Sequence, residues 1–170
     1  MKRQENARKK AWNHKPGYSS FNGMTPLQVD QMGVIGEMVV AKFLMLPLFD
    51  LRYWTYYVED GSYNVPEIMG VVEVRRVNSP GNPLKLRQKD VDDRAINVKV
   101  YIPYVSNGQA ITKLSMFGIV QGWEYANPQT YAIAEGEGDS RSLPANNLRS
   151  PDTLLAAFEK EVSDRGGWPV

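Results

Sequence analysis

One long helix-forming stretch ahead of a run of short β-forming segments restricts this chain to a mixed α+β fold. Thr25-Pro26-Leu27-Gln28 is a helix start: Thr25 suits the cap, Pro26 the first helical turn, and Gln28 completes a capping box. Apolar side chains then recur at helical spacing from Val29 to Leu46, and Pro47 ends the run. Within it Gly33, Glu37, Val40, Ala41 and Leu44 fall on one face. Glu37 therefore lies among small and apolar neighbours. Burying an ionisable group there is unfavourable unless it is paired or binds a metal.

Beyond Asp50 the residues become β-branched and aromatic. The pattern predicts strands over Arg52–Val58, Val71–Val77, Leu84–Arg87, Ile96–Ile102, Leu114–Trp123 and Thr130–Ala134. It predicts a polar, mobile loop from Glu135 to Ser142, and a last helix opened by Ser150-Pro151-Asp152-Thr153 and running to Val162. Asp90-Val91-Asp92-Asp93 lacks the glycine and closing glutamate of an EF-hand and reads as a solvated turn with an Asx cap. A helix, mostly hairpin-linked strands and a second helix describe an α+β (α/β/α-like) domain, with a mixed central sheet flanked by helices. Residues 1–23 are expected to form a basic, flexible arm, and residues 24–170 a single domain. The aromatic residues Trp54, Tyr56, Tyr57, Trp123, Tyr125 and Tyr131 could stack on bases but read first as core.

Composition narrows the chemistry. The chain has no cysteine, which excludes disulfides, thiolate nucleophiles and cysteine-bearing zinc sites. Its one histidine, His14, falls in a polar N-terminal stretch, so a Ser-His-Asp triad or a histidine metal cage is not expected. Carboxylates, lysines, arginines and tyrosines are left to do any chemistry. A net charge of +1 offers no strong overall field. Locally, Lys2, Arg3, Arg8, Lys9 and Lys10 oppose only Glu5, and Trp12, Tyr18 and Phe21 follow, a pattern suited to lying on a nucleic-acid backbone. No apolar stretch approaches the roughly 20 residues of a membrane span, so no membrane partner is expected and the cytoplasm is the default location.

In the strand Val71–Val77, alternation puts Val71, Glu73, Arg75 and Val77 on one face and Val72, Val74 and Arg76 on the other. Two readings follow. Glu73 and Arg75 could neighbour each other harmlessly on a solvent-facing side of the sheet. Alternatively they belong to a site for a phosphodiester, where carboxylates hold one or two Mg²⁺ ions near a basic side chain.

The run Gly33-Val34-Ile35-Gly36-Glu37-Met38-Val39-Val40-Ala41, then Pro66-Glu67, then Glu73-Val74-Arg75, resembles the PD-(D/E)xK nuclease superfamily, and its small phage and prophage members in particular. Asp90 after Leu84-Lys85-Leu86-Arg87, Gln121-Gly122-Trp123, and the closing Leu143-Pro144 and Leu148–Leu155 extend the similarity over roughly residues 30 to 158. The resemblance implies a restriction-endonuclease-like core and an Mg²⁺- or Mn²⁺-dependent DNA endonuclease or resolvase-like activity. Glu37 would support the metal, Glu67 would replace an aspartate as bridging ligand, and Glu73 would be the second ligand, joined by the Val74 carbonyl. Arg75 would take the place of the lysine that orients the attacking water. Asp60 is a second candidate for the missing aspartate, and Lys85 or Lys99 for a displaced lysine. Lys85 would join Lys2, Arg3, Arg8, Lys9 and Lys10 in contacting DNA, with a homodimer left open. The alternatives are a non-catalytic relative that binds DNA or a protein partner through an internal salt-bridged network, and a structural or assembly protein of a virus particle.

Overall fold

The computed structural model describes residues 26–48, 50–54, 66–103, 118–136 and 139–168. The basic arm, Thr25, Asp60 and the strand portions expected over residues 55–58 and 114–117 lie outside them. The elements in chain order are α1 (Pro26–Phe43), β1 (Val72–Val77), β2 (Leu84–Arg87), α2 (Gln88–Asp92), β3 (Ile96–Tyr101), β4 (Ile119–Tyr125), α3 (Pro128–Ile133), β5 (Ser140–Leu143) and α4 (Leu154–Asp164). The fold is mixed α+β, as the order of segments requires. No helix among the described residues is long and apolar enough to cross a membrane.

A three-stranded sheet of order β1-β3-β4 forms the centre. β1 and β3 are parallel, with Glu73 opposite Asn97 and Arg75 opposite Lys99. β3 and β4 are antiparallel, with Asn97 opposite Glu124 and Lys99 opposite Gly122, and a bulge follows between Lys99 and Val100. β2 and β5 pair separately as an antiparallel ribbon. Mostly hairpin-linked strands in a mixed sheet are the expectation, and β1 and β3 are the parallel pair within it, because β2 and α2 intervene and return the chain parallel to β1.

Period-two alternation divides the main sheet into unlike faces. Val72, Ile96, Val98, Val100, Val120 and Trp123 join Met32, Ile35, Val40 and Leu44 of α1 and Leu154, Phe158 and Val162 of α4 in one apolar core. At Gly36 α1 packs over β1, and a methyl group there would make ordinary contact with Val74 Cγ1 at 3.6 Å. The other face carries Glu73, Arg75, Asn97, Lys99 and Glu124. Residues 78–92 reach over it: Lys99 Nζ donates to the Pro80 carbonyl at 2.7 Å and Arg75 Nε to the Lys85 carbonyl at 3.2 Å.

Five local expectations need correction. Thr130–Ala134 belongs to no strand; residues 128–133 form α3, because Asn127 caps them by accepting from Thr130 N (2.9 Å) while Thr130 Oγ1 accepts from Asn127 N (3.0 Å). The supposed loop before Ser142 contains β5, tied back by reciprocal backbone bonds between Glu135 and Ser142 at 2.9 and 2.6 Å. Leu51–Tyr53 is a 3₁₀ turn, and Trp54 makes a single bridge to Ile68. Asp90 lies in α2 rather than in a solvated turn, and it is completely buried. α1 also ends before Leu46: Met45 adopts φ 57° and the Leu46 N–H returns to the Ala41 carbonyl at 2.8 Å.

Candidate active site

The site is organised by the outer edge of β1. Residues 68–72 make a tight reversal in which the Ile68 and Val72 N–H groups each donate to the other's carbonyl at 3.0 Å. Met69 and Gly70 take φ values of 53° and 65° within it. The reversal lays Glu67 back along the strand that follows, where Glu67 Oε2 accepts from Val74 N at 2.8 Å. An edge-strand donor with no neighbouring strand among the described residues thus finds a carboxylate as its acceptor.

The Glu67 carboxyl has company of its own sign. Burial, then the charges of Glu73 and Glu37, hold its pKa well above the ordinary glutamate value, against the opposing pull of Arg75 and the Val74 N–H. Among the described residues no cation forms an ion pair with Glu67. Glu37 reaches this group from α1 and is buried, at 4% exposure. The face of α1 read from its spacing therefore does deliver a carboxylate to β1.

Glu73 and Arg75 occupy the polar face, and the solvent-facing reading of that pair is overturned. Glu73 is only 2% exposed, covered by α2. Its Oε1 meets Arg75 Nη1 at 2.5 Å and its Oε2 meets Lys89 Nζ at 3.3 Å. Arg75 Nη2 donates to both carboxylate oxygens of Asp90, at 2.9 and 2.8 Å. Burial opposes the Arg75 charge, yet Glu73, Asp90 and Glu67 together hold its pKa above the ordinary value. Asp90 Oδ2 also accepts from Arg87 N at 2.9 Å, so it caps α2 while it fixes the guanidinium.

The polar row continues inward. Lys99 is buried beside Arg75, and burial lowers its pKa. Asn97 is fully buried, and its Oδ1 has no hydrogen-bond partner among the described residues; the same holds for Asp93 Oδ2. Burial raises the Asp93 pKa, with Lys89 opposing and Asp90 and Glu73 adding to the shift. Glu124 closes the row, accepting from Arg149 Nε at 3.0 Å.

The structure thus brings Glu37, Glu67, Glu73 and Arg75 to one edge of the sheet. Lys85 does not join them: its side chain is exposed on β2 and donates to Ser142 Oγ at 2.6 Å. Asp60 and the arm residues Lys2, Arg3, Arg8, Lys9 and Lys10 lie outside the described residues. Lys89 and the clamping role of Asp90 escaped the sequence. The capping spacing of Arg87 and Asp90 was the available signal, since an acid three residues into a helix turns back toward its start. Gln121-Gly122-Trp123 is placed on β4 for a packing reason. A methyl on Gly122 would lie 2.9 Å from Leu148 Cβ and 3.0 Å from the Arg149 carbonyl oxygen, while Trp123 Nε1 donates to Ser150 O and Thr153 Oγ1.

The donors here are carboxylate oxygens, the chemistry of a hard divalent cation. Among the described residues no three Asp, Glu, His or Cys side chains converge into a metal cage. No protein-family model, no curated protein and no solved structure matches the chain.

Proposed function

We propose that the chain is a divalent-metal-dependent nuclease with a restriction-endonuclease-like core, hydrolysing phosphodiester bonds in DNA. The observation that carries this reading is Glu67: a carboxylate crowded by the charges of Glu73 and Glu37, whose hydrogen-bond partner among the described residues is a backbone N–H. Such an arrangement is unfavourable by itself and is relieved by a cation. Glu67 and Glu73 would hold Mg²⁺ or Mn²⁺, which supplies charge neutralisation at the phosphate and a more acidic bound water.

The chain's own residues account for the rest. Arg75 cannot surrender a proton, so its part is electrostatic: it keeps Glu73 oriented and places a fixed positive charge beside the carboxylates. Asp90 and the Lys85 carbonyl hold that guanidinium in place. Lys89, with a side chain 23% exposed, is the cation able to meet a substrate phosphate. Glu37 adds to the negative field that favours metal entry.

A second reading, a non-catalytic protein binding DNA or a partner, is favoured by one specific observation. All three guanidinium nitrogens of Arg75 are already engaged, with Glu73, Asp90 and Lys85 O. Cleavage of plasmid and short duplex DNA in Mg²⁺ or Mn²⁺ separates the two. Nuclease function predicts metal-dependent nicking that falls on the order of a thousandfold in Glu73→Ala, the loss of several kcal/mol of charge stabilisation. Cleavage unchanged by that substitution contradicts the nuclease reading, and DNA binding without cleavage supports the second.

A further inference from the structure

We infer that a cleft between β4 and the start of α4 binds a nucleotide unit, an aromatic base carrying a phosphate, at a site separate from the acidic edge of β1. The cleft arises from the way the chain re-enters the sheet. Arg149 pairs with Trp123 along the outer edge of β4, with N–H to carbonyl distances of 2.9 and 3.3 Å. The chain then turns through Pro151–Thr153 into α4, and Ala156 and Ala157 face the gap with minimal side chains. The result is an open, shallow hollow of about 540 Å³.

Its lining is selective. Arg149 and Lys160 are its charged members, and carboxylates border it: Glu124 on Arg149, Asp164 on Lys160, and Glu161 hydrogen-bonded to Tyr125. The Arg149 guanidinium lies over the rings of Trp123 and Tyr125, at 5.2 and 5.5 Å from their centroids. Its Nε is anchored on Glu124, and its two terminal nitrogens have no partner among the described residues. A guanidinium stacked and tethered in this way presents a preformed fork to a phosphate. Trp123 is buried, so the partly exposed Tyr125 is the ring available to a base, held edge-on to Trp123 at 5.2 Å. Lys160 sits one helical turn beyond Ala156 and Ala157 and adds a second cation at the rim, where it also pairs with Asp164.

β4 and β1 are the two outer strands of the sheet, about 10 Å apart across β3. Binding in the cleft therefore needs neither a divalent ion nor the acidic residues, and it is measured in EDTA. The full chain is titrated with thymidine monophosphate by calorimetry and with a fluorescein-labelled oligothymidylate by anisotropy. The expected result is binding that Ala156→Leu, which fills the cleft from an exposed helix position, and Arg149→Ala each weaken about tenfold or more, the size of one lost stacking or phosphate contact. Circular dichroism melting accompanies both variants, and Ala156→Leu alone decides if Arg149→Ala melts early. Tighter binding of the oligomer assigns the site to single-stranded DNA, and equal affinity assigns it to a free nucleotide. Absence of binding to both probes, or binding that neither substitution weakens, overturns the proposal.

Discussion

The two faces of the central sheet are built from the same strands, yet they do opposite things. On one, Val72, Ile96, Val98, Val100 and Trp123 pack against α1 and α4 in an apolar core, with Glu37 and Arg76 at its border. On the other, Glu73, Asn97 and Lys99 are as deeply buried and Arg75 is half-buried; Glu73 pairs with Arg75 beside it and with Lys89 of α2, Arg75 with Asp90, and Lys99 with the Pro80 carbonyl. Burial of the first kind stabilises in proportion to area. Burial of the second kind carries a desolvation penalty that ion pairing offsets only in part. A small fold that keeps a charged layer under cover gives up stability for a preorganised set of charges.

The comparison can be broken most forcefully by removing one member from each face. Phe158→Ala, which empties a fully buried position under the apolar face, should destabilise by about 3–5 kcal/mol. Asp90→Ala should lose a similar amount, about 3–5 kcal/mol, because it leaves the Arg75 charge buried without its main acceptor. Asp90→Asn should fall between, since it keeps an acceptor for Arg87 N and removes only the charge. Denaturant melts of the three variants check this, and an Asp90→Asn protein as stable as the wild type would show that charge pairing does not hold the polar face.

A smaller effect sharpens the contrast through pH. The Glu67 pKa is raised in the folded state, chiefly by burial and then by Glu73 and Glu37. A raised carboxyl favours the fold while protonated, below its unfolded pKa, and withdraws that support as pH rises through the folded value. Glu67→Gln retains an acceptor for Val74 N and removes the charge. It should melt higher than the wild type at neutral pH, with the difference shrinking as pH falls into the ordinary carboxylate range. Equal melting temperatures across that range would mean that Glu67 carries no such strain.

Much of this arrangement was legible from residue order. Helical spacing placed α1 and put Glu37 on its inward face, and alternation separated Glu73 and Arg75 from Val72 and Val74. Whether that charged face met solvent was not legible, because its cover comes from residues 78–92, distant in spacing rule if near in sequence. α3 was missed because Asn127-Pro128 and Thr130 form a cap that outweighs the β-forming character of Thr130 and Tyr131. β5 was missed because Ser140-Arg141-Ser142-Leu143 has one apolar residue, and pairing with β2 decides its state. The parallel pairing of β1 with β3 is likewise non-local, set by the path through β2 and α2.

The central claim, that the acidic edge of β1 is a divalent-cation site, is tested most directly by calorimetric titration of Mn²⁺ into the wild type and into Glu67→Gln and Glu73→Gln. The account predicts a bound ion in the wild type and its loss in both variants, with each variant still folded by circular dichroism. Equal binding by all three proteins, or none by the folded wild type with DNA present, would contradict it.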